Sequence, residues 1–154
     1  GGGSYNEAQA DYATISGGGP SDNSNPTTTN NRVTDDYGTI GGGGHNQAGN
    51  ASGGTTDATY AMVGGGGYNT ASDFGSTVGN AASALSSTIA GGGGNTASDN
   101  YSTVGGGAIN DASGPASTVG GGQSNTASGL RLHGRRRELQ RRTSPILYHL
   151  RRRA

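Results

Sequence analysis

The chain has 154 residues, of which 33 are glycine, none is cysteine, and the ten basic and ten acidic side chains cancel. A cysteine-free chain has no disulfide framework. With no lysine there is no Gly-x-x-x-x-Gly-Lys phosphate loop either. Glycine-rich, weakly apolar chains without a period tend to stay disordered, but this chain has a period.

From the first residue onward a unit of about 15 residues recurs, closed by an aliphatic residue at Ile15, Ile40, Val63, Val78, Ile89, Val104 and Val119. Counted from its glycine run, each unit places Asn at position six: Asn6, Asn46, Asn69, Asn95, Asn110 and Asn125. Position eight is Ala: Ala8, Ala48, Ala71, Ala97, Ala112 and Ala127. Self-similarity at a fixed short period means one small structural unit stacked on itself.

Glycine runs cost a helix about 1 kcal/mol per residue relative to alanine, whereas Thr-Val and Thr-Ile pairs favour extended backbone. Two short strands per unit follow, one around the Asn-Thr-Ala segment and one ending in Val or Ile, with the glycines as a corner. The predicted fold is all-β: a parallel β-solenoid of about eight coils over residues 1–129. The Ala and Val/Ile columns point inward and the asparagines form an amide ladder. The unit ending at Ile89 reads as shortened by four residues. Two others carry extra residues near 26–35 and 53–59, which read as protruding loops. One alanine and one valine per coil is a thin core, so association with further copies is expected.

With Tyr101-Ser102-Thr103-Val104-Gly105 in the place of a Ser-Val-Ala-Ile-Gly segment and Thr126-Ala127-Ser128-Gly129 in the place of an Ala-Thr-Gly segment, the unit resembles the head repeat of trimeric autotransporter adhesins of the YadA type. The resemblance covers residues 1–129. It implies a left-handed parallel β-roll with three chains about a common axis, displayed at a bacterial cell surface and outer membrane. It also implies adhesion to a host, matrix or surface ligand. The export and anchor segments of such a protein are expected to lie outside this fragment. The family's first apolar strand residue is replaced here by Ala13, Gly38, Ala61, Ser76, Ser87, Ser102 and Ser117. Related repeats also occur in phage-like fibres.

Residues 130–154 break the pattern. They hold nine arginines and one acid, against one arginine and nine acids before them. Such an arm suits nucleic acid or an anionic surface. A second reading accounts for more of it. Back-translated with GC-rich codons and started one base later, Leu130 to Gln140 reads YASTVGGGSSN, which completes the unit begun before Gly129. The tail is accordingly expected to be a frameshift product without function of its own, and nucleic acid is not expected as a partner.

Nothing in the sequence points to catalysis, a metal or a cofactor. His45, His133 and His149 are scattered. Asp11, Asp73, Asp99 and Asp111 recur near turns, where aspartate serves the backbone. Tyr12, Tyr37, Tyr60, Tyr101 and Phe74 precede the strand that ends in Val or Ile, and read as packing or rim residues rather than a sugar-binding row. The expected function is a structural and adhesive head segment, not an enzyme. The alternatives are a monomeric column whose threonine ladder binds an ordered lattice such as ice, or a phage-like fibre segment.

Overall fold

The structure, a computed structural model, describes residues 3–67 and 79–129. Among these there is no helix, and every strand is two residues long. One parallel sheet stacks β1 (Glu7–Ala8), β3 (Arg32–Val33), β5 (Gln47–Ala48), β7 (Ala81–Ala82), β9 (Thr96–Ala97), β11 (Asp111–Ala112) and β13 (Thr126–Ala127). The other stacks β2 (Thr14–Ile15), β4 (Thr39–Ile40), β6 (Met62–Val63), β8 (Thr88–Ile89), β10 (Thr103–Val104) and β12 (Thr118–Val119). The glycine runs form a third side, joined by the single bridges Gly19 to Gly44 and Gly93 to Ala108 to Gln123.

The interior is the predicted pair of columns. Ile40, Val63, Ile89 and Val104 are fully buried and in register with one another, as are Val33, Ala48, Ala82, Ala97 and Ala112. Val119 closes one end, and Ala13, Ile15 and Ala127 pack on the cluster half-buried. Ala8 is exposed at the first rung. The columns are sealed within a single chain. The thin core is thus covered within one chain.

Three features of the register differ from the sequence reading. First, Val63 pairs directly with Ile89, and Ala48 with Ala82. Val78 therefore has no place between them, and the coil leading to Ile89 is of full length. It runs through residues 64–67 and 79–89, with 68–78 inserted. Asn69, Ala71 and Val78 fall in that insertion and lie outside the described residues. An eleven-residue coil would fall short of the perimeter by four residues, or about 13 Å of extended chain, and residues 64–67 supply those four.

Second, the first loop is 20–29. Gly19 bridges to Gly44, and Arg32–Val33 pairs with Gln47–Ala48, so residues 31–35 belong to the column. Third, the second loop is 50–57, because Ala58 is buried and Asp36 and Tyr60 are joined rung to rung. Among the described residues, seven rungs on one sheet and six on the other make six full coils and a partial seventh. The arginine-rich tail lies outside the described residues.

The sheet spacing is maintained by an amide ladder running Asn6, Asn31, Asn46, Asn80, Asn95, Asn110, Asn125. At a typical rung, Asn95 Nδ2 donates to Asn80 Oδ1 (3.2 Å), to Gly91 O of its own coil (3.0 Å) and to Gly107 O of the next (3.0 Å). Its Oδ1 accepts from Asn110 N and Nδ2. Asparagine supplies both a donor pair and an acceptor, so it can close this pattern in a fully buried position where alanine cannot. Glycine is needed opposite: a Cβ on Gly107 would collide with Gly122 O, and its φ is +87°.

Candidate functional site

The coil turns between its two strands through a four-residue corner, in which residue four donates its N–H to the carbonyl of residue one. Gly38 to Asp35, Ser87 to Ala84, Ser102 to Asp99 and Ser117 to Gly114 all do so. Ser87 and Ser117 are buried, and their Oγ accept the N–H of Ala84 and Gly114. Ser87 and Ser117, two of the residues that replace the resembled family's apolar residue, thus face inward and close the corner from inside, and Ser102 is buried at the same station.

The third corner residue has positive φ in every described coil: Tyr12 (58°), Tyr37 (59°), Tyr60 (60°), Ser86 (51°), Tyr101 (61°) and Ala116 (52°). These residues project outward. Tyr12, Tyr37 and Tyr60 form a continuous stack, with ring centroids 4.7 and 4.9 Å apart and planes within 6° and 12°. They stand free of the core at 74%, 43% and 56% exposure, and Tyr101 at 60%. The packing half of the sequence reading is thus corrected: these are rim residues. Phe74 lies outside the described residues.

Beside the stack, the 50–57 loop is tied to the column by one buried carboxylate. Asp35 Oδ2 accepts from Asn50 N (2.9 Å) and Thr34 Oγ1 (3.1 Å), and Oδ1 accepts from Ala58 N (3.1 Å). Both ends of the loop are thereby fixed. Thr34 Oγ1 accepts from Ala51 N, and Asn50 Oδ1 from Ser52 N. Asp57 is held below the ordinary carboxyl range, chiefly by the Asn50 side chain and then by Asp35. The loop and β3 enclose an open cleft of about 210 Å³ lined by Gln9, Arg32, Thr34, Asp35 and residues 51–55. Arg32 Nε lies 3.5 Å from Glu7 Oε2 across two rungs of the outer sheet face.

On the other outer face, Thr14 pairs with Thr39, and Thr103 with Thr88 and Thr118, with Met62 between the two groups. Among the described residues, no group of three or more His, Asp or Glu is placed to hold a metal. The amide ladder includes every predicted asparagine that is described, and adds Asn31 and Asn80. These two were missed because the residues two places on, Val33 and Ala82, were not recognised as the alanine position of a displaced unit. Asp35 was missed as an anchor because nothing in its local sequence marks it as buried. No family model, curated protein or solved structure matches the chain.

Proposed function

We propose that the chain is a structural and adhesive segment, the head of a three-chain bacterial surface adhesin of the kind its repeat resembles, and not an enzyme. One observation carries this reading: the interior is the same from rung to rung, while the distinctive side chains stand on the outer corners and in the loops. A rigid column that repeats its outward stations every coil suits multivalent contact, in which weak interactions add through a high effective concentration. The ligand would be a host, matrix or other surface molecule meeting the tyrosine side of the column. The three-chain arrangement rests on the resemblance, since the core is already covered in one chain.

Sedimentation of the full chain at micromolar concentration tests the assembly. A species three times the 15.1 kDa chain mass is expected. A stable monomer retires the trimer.

The threonine face favours a second reading. Five threonines occupy equivalent rungs, as a lattice-binding surface would have them. The face is a single rank and Met62 interrupts it. Thermal hysteresis in a monomeric sample is the result that would promote this reading over adhesion.

A further inference from the structure

We propose that the gap in the tyrosine stack at Ser86 is a binding slot for one flat aromatic ring, carried by an exposed aromatic side chain of a partner protein. The proposal rests on the adhesive reading and gives it a ligand class.

Ser86 occupies the rung between Tyr60 and Tyr101. Its N–H donates to Thr59 O, and the N–H of Tyr101 donates to Leu85 O. This is the same pattern by which Tyr37 donates to Asp11 O and Tyr60 to Asp36 O. The backbone angles agree as well, with φ of 60°, 51° and 61° at Tyr60, Ser86 and Tyr101. Where tyrosines occupy successive rungs their rings stack at 4.7 and 4.9 Å. Serine has no ring, so Tyr60 and Tyr101 stand two rungs apart, roughly 9.6 Å at the ordinary strand spacing. One ring placed between them would lie about 4.8 Å from each, inside the range of about 4.5–7 Å that aromatic pairs prefer. The column therefore supplies a vacancy one ring thick, with a tyrosine on each side and both tyrosines more than half exposed.

The neighbouring residues select the chemistry. On the rungs of Tyr12, Tyr37, Tyr60 and Tyr101 the preceding residue is Asp11, Asp36, Thr59 or Asn100, but beside Ser86 it is Leu85. The backbone N–H groups of Ser86 and Tyr101 are already donated within the ladder. A guanidinium would find no carboxylate on the Ser86 rung, and the apolar Leu85 there favours an aromatic ring over a sugar.

The test uses the full chain and ligand-observed saturation-transfer NMR. N-acetyl-tryptophanamide is the probe, and methyl glucopyranoside and methylguanidinium are run in parallel. The aromatic probe is expected to receive saturation at millimolar concentration and the other two are not. Ser86→Tyr fills the slot and should abolish the signal. It should leave the circular dichroism unchanged, because tyrosine already occupies this station in four other described coils. Tyr101→Ala should weaken binding by about two- to tenfold, the scale of one lost aromatic pair. Unchanged binding by Ser86→Tyr, no saturation of the aromatic probe by the native chain, or preference for the sugar or the cation would each overturn the slot. If Ser86→Tyr still adheres to surfaces as the native chain does, the slot fails and the adhesive reading survives. If no variant adheres at all, the adhesive reading fails with it.

Discussion

Residues 79–129 and residues 3–67 are wound on the same coil, but they treat its corners differently. From Asn80 to Asn125 every rung follows the last by fifteen residues, and the sheets run without interruption. Between residues 3 and 67 the same ladder carries two loops, a three-tyrosine stack, a buried aspartate and an ion pair. The first stretch shows what the coil needs: glycine on one side, asparagine at one corner and two small apolar residues inside. The second shows what it tolerates. Added chain leaves and re-enters at a corner, between rungs whose hydrogen bonds stay in register on both sides, as Gly19 and Arg32 do around residues 20–29.

The contrast is most sharply broken by deletion. Removing 20–29 should leave the melting temperature within a few degrees, because loop-closure entropy changes slowly with length. Removing 26–35 should collapse the coil, because it takes Asn31, both residues of β3 and Asp35 with it. Thermal melts of the two deletions, each ten residues long, decide between them. If both are tolerated, the register of the first loop is wrong.

Next in size is the ladder of the plain half. Asn95→Ala should destabilise by about 3–5 kcal/mol. It orphans buried partners on three coils, each worth about 1–3 kcal/mol. Urea unfolding of the full chain measures this, and a change under 1 kcal/mol would show that the ladder is not a stabilising element.

Smaller, and confined to the decorated half, is Asp35→Asn. The amide can keep one acceptor but loses the charge that holds both ends of the 50–57 loop. Hydrogen exchange at Asn50 and Ala58 should speed up while Asn80 and Asn95 stay protected. Equal loss in both halves would mean the aspartate supports the column and not the loop.

The smallest effect is acid sensitivity of the 20–29 loop. Asp22 lies below its ordinary 3.8, chiefly through the Asn25 side chain and then the Ser24 backbone N–H. Because the folded value is the lower one, the contribution is fully present above 3.8 and is lost as the pH falls through the folded value beneath it. Chemical shifts of Ser24 and Asn25 should therefore move in that acid range ahead of those of the column.

The strand pairs Thr-Val and Thr-Ile and the Asn column could be read in the sequence because they recur. The phase of the additions could not. Asn69-Thr70-Ala71-Ser72 is the better copy of the motif, yet the ladder uses Asn80-Ala81-Ala82. Motif quality is local, whereas register is settled by whether each coil can reach around its perimeter. Val33 was hidden for a related reason: it fills an alanine position with a larger side chain, in a segment where loop residues and column residues adjoin. The tyrosines were legible as a column, but their stacking depends on the coil spacing, which the sequence does not state.

The corners carry a further consequence. A left-handed backbone costs an ordinary L-residue roughly 1–2 kcal/mol, which glycine escapes and asparagine partly escapes. Yet tyrosine, serine and alanine hold these angles at the outer corner, from Tyr12 to Ala116. Replacing them with glycine would harden the column and leave it featureless. Each turn thus works as a socket of fixed geometry that accepts different plugs, and new binding specificities could be written there without redrawing the frame.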